Sequence, residues 1–158
     1  MKSMPSTSTA AEQSFCLCGR KVPYRDCCEP FHLGRAWPET AEQLMRSRYV
    51  AYALHLKDYL LQTWDPSTRP SDFTFDENLH WQKLRILKTK RGRAQDNTGS
   101  VVFRAEYCLK DGGLNGQPDR VDSSGSVIEK GVMTEKSRFV RDHRQSGAPW
   151  VYLDGELS

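Results

Sequence analysis

No run of apolar residues in this 158-residue chain approaches the ~18–20 residues of a membrane-spanning helix, so no membrane partner is expected. The amino-terminal stretch MKSMPSTSTAAEQSF has one lysine and lacks the apolar core of a secretory signal. Neither sign of charge dominates, because 23 Lys and Arg against 20 Asp and Glu leave a net charge of +3. So small an excess does not by itself indicate nucleic-acid binding. These absences predict a cytoplasmic protein.

Apolar residues are also scarce, at 37% of the chain, while charged residues make up 27% and aromatic residues 10%. Each aromatic ring buries a large area, so a modest hydrophobic core is still within reach. A length of 158 residues is typical of one domain with at most a small appendage. The five cysteines stand out, because an odd number argues against a fold built purely on disulfides.

Four of the cysteines lie within 13 residues, in the spacing C-x-C, eight residues, C-C: Cys16, Cys18, Cys27 and Cys28. Four thiolates satisfy the tetrahedral preference of zinc, and Gly19 suits a turn with positive φ. Arg20, Lys21 and Arg25 lie between the two pairs, where they would offset the negative charge of a zinc–tetrathiolate centre. The spacing therefore predicts one structural zinc ion per chain, with no position open for catalysis.

Redox chemistry and buried structural thiols are the alternatives to a metal site. Adjacent cysteines seldom bridge each other, because disulfide geometry is strict, and a polar, basic loop is a poor place for buried thiols. His32 could substitute as a ligand, although Cys28 already fills the fourth place. Cys108 stands alone in an alternating segment and is interpreted as a half-buried strand residue.

The cysteine segment resembles the SEC-C motif, a small zinc knuckle. The motif has C-x-C, eight residues that include a glycine and a tyrosine, and then C-C, and Gly19 and Tyr24 match it here. Arg20 and Lys21 replace the Ser-Gly that usually follows the glycine, and neither of them is a ligand. The resemblance implies a zinc-binding knuckle over residues 15–36, and the Ser, Thr and Ala content before it predicts a flexible tail over residues 1–14.

A helix is predicted to begin after Thr40. Thr40 can cap it, Gln43 completes a capping box, and Pro38 ends the preceding segment. Apolar residues then recur at helical spacing: Ala41, Leu44, Met45, Tyr49, Tyr52 and Leu56. Asp58 is expected to cap a second short helix over residues 59–64.

The second half of the chain changes to the two-residue period of strands. Side chains alternate between the two faces of a strand over residues 101–107. One face holds Val101, Phe103, Ala105 and Tyr107, and the other holds Val102, Arg104 and Glu106. Further strands are expected over about residues 127–142 and from Trp150 to Leu153. Helices followed by an antiparallel meander predict an α+β fold, in which a curved sheet wraps around the long helix.

Several blocks of the sequence resemble the YchJ family. They are TAEQLMRSRYVAY at residues 40–52, DYL with TW at residues 58–64, EKSRF at residues 135–139 and WVYLDGE at residues 150–156. The resemblance implies an amino-terminal SEC-C knuckle followed, over residues 37–158, by a cone-shaped domain similar to nuclear transport factor 2. In such a domain the helices pack on a curved antiparallel sheet around a pocket. The resemblance implies no particular activity.

A cone-shaped fold offers a cavity between helix and sheet, which is the default place for a ligand. The candidate pocket residues are Arg48, Tyr49, Tyr52, Trp64, Glu106, Glu135 and Arg138. The two helical tyrosines could instead be core residues, and Arg48 and Glu135 could form a structural ion pair. No Ser-His-Asp order, P-loop or G-x-G-x-x-G motif occurs, so no catalytic residue is assigned and a protein without catalytic activity is favoured.

A basic run places six cations within 11 residues: Lys83, Arg85, Lys88, Lys90, Arg91 and Arg93. With Trp81 nearby, RNA phosphates or an acidic partner could bind there. The alternative is a solvated strand and hairpin tip. Strand alternation is expected to separate Arg85 from Lys88 and Lys90 across the two faces of the sheet, which argues against one continuous patch.

Taken as a whole, the sequence predicts a zinc-binding cytosolic interaction protein. Its knuckle would dock an unidentified protein partner, and the cone-shaped domain would anchor the knuckle. The candidate docking residues are Arg20, Lys21, Tyr24 and Arg25. The alternative is a small-molecule-binding protein or enzyme that uses the pocket. A cone filled by the tyrosines and Trp64 would exclude that alternative.

Overall fold

The computed structural model describes residues 14–111 and 126–158. In them, a 3-10 turn spans Tyr24–Asp26, and the helices are α1 (Glu29–His32), α2 (Ala41–Leu54) and α3 (Lys57–Gln62). The strands are β1 (Leu79–Arg91), β2 (Thr98–Asp111), β3 (Ser126–Arg141) and β4 (Trp150–Leu157). Apart from residue 14, the tail predicted over residues 1–14 lies outside the described residues. Among the described helices, none combines the length and apolar character needed to cross a membrane.

Helix α2 begins where the capping box predicts. The Thr40 hydroxyl accepts a hydrogen bond from the backbone N–H of Gln43 at 3.1 Å. In return, Gln43 Oε1 accepts one from the N–H of Glu39 at 2.6 Å. At the other end, His55 adopts the left-handed conformation with φ of 60°, which ends the helix. The predicted long helix is therefore confirmed, with both ends explained by local chemistry.

Helix α3 begins at Lys57, two residues before its predicted start. Leu56 occupies the position before the helix, and Asp58 lies in the first turn without capping it. His55, in the left-handed conformation, turns the chain directly after α2. The new helix therefore begins before Asp58, which lies inside it and cannot occupy the cap position. The prediction of an Asp58 cap is therefore wrong, although a carboxylate in the first turn still complements the helix dipole.

The four strands form one antiparallel sheet in the order β1-β2-β3-β4. On β2, Phe103 lies opposite Ile86 of β1 and Glu135 of β3. The register shifts at several points, including between Ile86 and Lys88 on β1. Such shifts mark bulges, which increase the local twist and bend a strand. Helices packed on this curved antiparallel sheet make the fold α+β, as the sequence predicts.

The hydrophobic core lies between α2 and the inner face of the sheet. Trp150, Phe139 and Leu44 are the largest of its fully buried side chains and are exposed by at most 1%. A fully buried side chain of this kind contributes about 1.5–3 kcal/mol. The core cluster also includes the four clustered cysteines, so the knuckle packs directly on the helix and sheet. Most of the buried apolar residues in the described part of the chain thus belong to one cluster, beside a smaller one formed by Ala51, Tyr59 and Leu60.

Candidate metal centre and pocket

The four clustered cysteines converge on one point. Their sulfur atoms all lie within 4.8 Å of one another, and each side chain is buried. The Sγ atoms of Cys18 and Cys27 are 3.6 Å apart, and those of Cys27 and Cys28 are 3.9 Å apart. Zinc–sulfur bonds of ~2.3 Å in a tetrahedron place the sulfur atoms ~3.8 Å apart. The cluster therefore has the dimensions of a four-sulfur metal site.

Short turns bring the two cysteine pairs together. Gly19 has a φ of 98°, as the prediction of a positive-φ turn requires, and its N–H donates to the carbonyl of Cys16 at 3.2 Å. The Cys16 N–H donates to the Val22 carbonyl at 2.8 Å and closes the loop. In the 3-10 turn, the Cys27 N–H donates to the Tyr24 carbonyl at 2.9 Å. Backbone hydrogen bonds thus pre-form the cluster.

The thiols by themselves resist carrying four negative charges. Burial and the neighbouring Cys18 raise the pKa of Cys27 to about 12. Hydrogen bonds with Cys16 and Cys18 raise the pKa of Cys28. Arg20 Nη1 donates to Cys27 Sγ at 3.8 Å and supplies one positive charge. A soft divalent cation would supply two more, so the sulfur donor set fits a metal such as zinc.

His32 is committed elsewhere and does not act as a ligand. Its Nε2 donates to the Ser47 carbonyl at 2.8 Å, and its Nδ1 accepts from the Tyr24 hydroxyl at 2.7 Å. Tyr24 is half-buried and its hydroxyl is bonded to His32, and its assignment as a docking residue stays a prediction. The other three candidate docking residues are exposed: Arg20, Lys21 and Arg25.

Arg46 fastens the knuckle to helix α2. Its Nη1 donates to the Cys18 carbonyl at 2.6 Å, and its Nε pairs with Glu42 at 2.9 Å. Gly19 passes so close to β1 that a Cβ there would lie 3.3 Å from the carbonyl oxygen of Leu84. A metal ion at the cysteine cluster would therefore stabilise the contact of the knuckle with the helix and the sheet.

A cavity of about 250 Å³ opens between α2 and the inner face of the sheet. Apolar side chains form most of its wall: Met45, Trp81, Phe103, Ala105, Met133 and Phe139. The polar groups come from Arg48, Tyr49, Tyr52, Glu135, Ser137 and Tyr152. An apolar cavity with a few convergent polar groups is typical of a small-molecule site. The tyrosines line this cavity without filling it, which keeps the small-molecule alternative open.

Arg48 is the buried cation of the cavity. Its Nη1 donates to the Leu60 carbonyl at 2.8 Å and to the Thr63 hydroxyl at 2.7 Å. The guanidinium carbon lies 4.9 Å from the ring centre of Trp64 and 4.6 Å from that of Tyr152. Burial lowers the pKa of Arg48 from its usual value. None of the ion pairs among residues 14–111 and 126–158 includes Arg48, so the expected pair with Glu135 does not form there.

Glu135 is balanced by hydroxyl groups instead. Its Oε2 accepts from the Ser137 hydroxyl at 2.7 Å and from the Tyr152 hydroxyl at 3.1 Å. Burial and the neighbouring Glu135 carboxylate raise the pKa of Tyr152, so this phenol stays protonated and donating at neutral pH. Tyr152 therefore connects the two charges, because its ring lies against Arg48 and its hydroxyl reaches Glu135.

Three candidate pocket residues lie outside the lining of the cavity. Glu106 is exposed on the outer face of β2, and Arg138 is exposed on β3, where its Nε donates to Asp154 Oδ1 at 2.6 Å. Successive side chains of a strand point to opposite faces, so both assignments to the pocket are wrong. Trp64 supports Arg48 through its ring and meets the ring of Tyr152 edge-on at 5.3 Å.

Sequence reasoning missed the apolar wall and two polar groups, Ser137 and Tyr152. A signal for Ser137 was present, because it lies two residues from Glu135 and therefore on the same face of β3. The same rule identifies Phe139. Tyr152 carried no such signal, because β4 reaches the cavity only through its pairing with β3, in which Tyr152 lies opposite Phe139.

Comparison with known proteins assigns the family. A family model described as YchJ, middle NTF2-like domain, matches residues 40–155. The chain belongs to the YchJ family. A UPF0225 protein of Streptomyces avermitilis is 37% identical over 156 residues, which cover 99% of this chain and 94% of the relative. Another UPF0225 protein, from Streptomyces coelicolor, is 42% identical over 142 residues, which cover 90% of this chain and 94% of the relative.

Two solved structures resemble this YchJ-family chain. A SEC-C motif containing protein from Rhodopseudomonas palustris matches with a TM-score of 0.66 and 28% identity, over 89% of this chain and 96% of the other. A sec-c motif containing protein from Psychrobacter arcticus matches with a TM-score of 0.65 and 23% identity, over 94% and 85%, and shows the fold alone. The predicted family and fold are thus confirmed, and the amino-terminal cysteine cluster is consistent with a knuckle.

Proposed function

We propose that this protein is a cytosolic adapter whose SEC-C knuckle holds one structural zinc ion and docks a protein partner. The convergence of four buried cysteine sulfurs within 4.8 Å carries the proposal. Four protein ligands close a tetrahedral site, so the ion would stabilise the knuckle and take no part in catalysis. None of the five cysteines takes part in a disulfide, so the four of the cluster are available to a metal ion. The SEC-C proteins that share the fold support the same use of the cluster.

The outer surface of the knuckle supports the docking role. Lys21 and Arg25 are exposed, and no ion pair within the described residues engages them. The same segment exposes large apolar side chains, with Phe15 at 51%, Leu17 at 53% and Leu33 at 54%. Exposed aromatic and apolar side chains beside arginine are typical of the central part of protein–protein interfaces.

Replacing Lys21 and Arg25 together by alanine is expected to reduce partner capture by about tenfold or more, because arginine is one of the residue types that dominate binding energy and the lysine adds charge complementarity. Zinc should remain, since within the described residues the side chain that donates to a clustered sulfur is that of Arg20, which is unchanged. Affinity capture from a native lysate, quantified by mass spectrometry, measures the first effect, and elemental analysis of the same sample measures the second.

The matched control replaces Lys88 and Lys136 by alanine, which removes the same charge from two exposed strand positions. Its capture profile from a lysate treated with ribonuclease should equal that of the wild type. Docking through the knuckle is contradicted if the knuckle variant captures the same proteins in the same yield as the wild type.

The cavity favours a second candidate function, the binding of a small carboxylate with an apolar body. Arg48 is a buried cation without a carboxylate partner in the described part of the chain, and an unpaired buried charge is costly. Glu135 already accepts hydrogen bonds from two hydroxyl groups. A ligand carboxylate would pair with the guanidinium, while the apolar wall would take the body of the ligand.

Benzoate is expected to bind the wild-type protein, whereas benzamide and benzylammonium are not, and ligand-observed NMR measures all three. Replacing Arg48 by methionine should weaken benzoate binding by about 30-fold or more, because breaking a buried charge pair costs about 2–5 kcal/mol. Tyr152→Phe is the matched control, since it keeps the ring against Arg48 and removes only the hydroxyl. Undiminished benzoate binding to Arg48→Met, or a preference for benzylammonium, would contradict an anionic ligand.

A further inference from the structure

The outer face of the sheet carries a basic surface that the sequence pattern conceals. Strict alternation would place Arg85 on one face of β1 and Lys88 and Lys90 on the other. The register instead shifts between Ile86 and Lys88, which makes Leu87 an extra residue on this strand. A bulge of this kind changes the face that every following side chain occupies.

Strand β2 identifies the face on which these cations lie. Phe103 is buried and faces the core, so Val102 and Arg104 on either side of it face outward. Lys88 lies opposite Val102, and Arg85 lies opposite Arg104. Both cations are therefore on the outer face, and the prediction that alternation separates them is wrong.

The surface continues onto β3, where Lys136 also lies opposite Val102. Six exposed cations that take part in no ion pair within residues 14–111 and 126–158 define the basic face: Lys83, Arg85, Lys88, Lys90, Arg104 and Lys136. The carboxylates on this face are Glu106, Glu156 and Asp154, and Asp154 is already paired with Arg138. When Glu106 and Glu156 are set against the six cations, the excess of positive charge on the basic face is still larger than the net charge of +3 of the whole chain.

A shallow depression on the basic face has a volume of about 330 Å³. Its lining includes Lys90, Ser100, Lys136 and Arg138. Two ammonium groups and a hydroxyl around one concavity are groups that contact nucleic-acid phosphates. The depression is therefore suited to one phosphate of a longer polyanion.

We propose that the basic face binds the backbone of double-stranded RNA. The outward strand positions of the described residues hold no Phe, Tyr or Trp, and the exposed His80 supplies a single imidazole, so a single strand would find no row of rings on which successive bases could stack. Trp81, which the sequence placed beside the basic run, lines the inner cavity instead. Two lysines, Lys88 and Lys136, lie on either side of Val102 at the centre of this face, whereas the centre of a protein interface is depleted of charged residues.

The shape of a sheet favours RNA over DNA. The minor groove of an RNA duplex is wide and shallow and is recognised through its phosphates and hydroxyl groups. The major groove of B-DNA admits a helix or a two-stranded ribbon, and the basic face spans three strands. The hydroxyl of Ser100 among the cations can accept or donate to a ribose hydroxyl.

Fluorescence anisotropy with a mixed-sequence RNA duplex of about 20 base pairs, titrated between about 50 and 200 mM salt, tests the proposal. Wild-type affinity should fall steeply with salt. The variant Lys88→Ala with Lys136→Ala should bind on the order of tenfold more weakly at the lower salt concentration. Its log–log salt dependence should be shallower by about 1.8, because each phosphate contact contributes about 0.9.

The matched control is Lys21→Ala with Arg25→Ala, which removes the same charge from the knuckle and should bind the RNA duplex like the wild type. Circular dichroism confirms that both variants are folded. An absence of salt-dependent binding by the wild type, or an equal loss in both variants, overturns the proposal. Tighter binding of a DNA duplex or of single-stranded RNA of the same length also overturns it. None of these results depends on the cavity or on the docking role of the knuckle.

Discussion

Replacing Cys27 by serine is expected to remove the proposed zinc ion and to lower the melting temperature by roughly 10 °C. A hydroxyl is a poor zinc ligand, and the free energy of metal binding is also free energy of folding. We expect a loss of more than about 3 kcal/mol, as is typical when a structural metal is removed. The four cysteines belong to the same core cluster as Leu44 and Val50, so calorimetry of the whole chain should register the loss.

Elemental analysis should find one zinc per wild-type chain and almost none in the Cys27→Ser variant. The matched control is Cys108→Ser, the same substitution at a buried cysteine outside the cluster, whose sulfur accepts from Gln82 Nε2 at 3.4 Å. That variant should keep its zinc and lose only about 1 kcal/mol. A wild-type protein without zinc, or a Cys108→Ser variant that loses as much zinc as Cys27→Ser, would contradict the metal assignment.

The features that the sequence predicted correctly are local. Thr40 and Gln43 are three residues apart, so the capping box at the start of α2 depends on no distant contact. The two cysteine pairs are separated by eight residues, and a glycine with positive φ is enough to turn the chain between them. The order of helices and strands was also predicted well, because the family resemblance implied it.

The pocket required distant contacts that the sequence does not contain. Arg48 can be buried because groups from other elements surround it. The Leu60 carbonyl and the Thr63 hydroxyl accept its hydrogen bonds, and the Tyr152 ring packs against its guanidinium. The helical period of α2 could show only that Arg48 lies near an apolar face. Its expected partner, Glu135, finds hydroxyl groups instead, because β4 brings Tyr152 beside it.

Strand alternation was reliable where a strand is regular and misleading where it bulges. The alternation of β2 places the side chain of Glu106 on the opposite face of the sheet from that of Ala105. The sequence pattern therefore already predicted that Glu106 lies outside the cavity. On β1 the bulge at Leu87 arises from the pairing of two strands and has no signature in the run WQKLRILKTKRG. The basic face therefore became visible only when the register of the sheet was known.

Replacing Gly92 by alanine is expected to destabilise the protein by about 3 kcal/mol, or roughly 6–12 °C in melting temperature. Gly92 has a φ of 78°, which costs an L-residue about 1–2 kcal/mol. A Cβ at this position would also lie 2.7 Å from the Cβ of Ala41, at the start of α2, and overpacking of this kind costs about 1–3 kcal/mol. The Gly92 carbonyl accepts from the Ala41 N–H at 2.9 Å, so the helix cannot move away freely.

Gly34→Ala is the matched control, because Gly34 has nearly the same φ of 77° and a Cβ there would meet no atom within 4 Å. It should lose only the backbone cost, about 1–2 kcal/mol, when both variants are measured by thermal unfolding. The double variant Gly92→Ala with Ala41→Gly removes the clash and should lose less than the sum of the single losses by about 1–2 kcal/mol. Strictly additive losses would mean that backbone strain alone acts at Gly92. We expect non-additive losses instead. They would show that the contact between residues 41 and 92 holds α2 against the β1–β2 hairpin and so fixes the helix that carries Arg48 over the cavity.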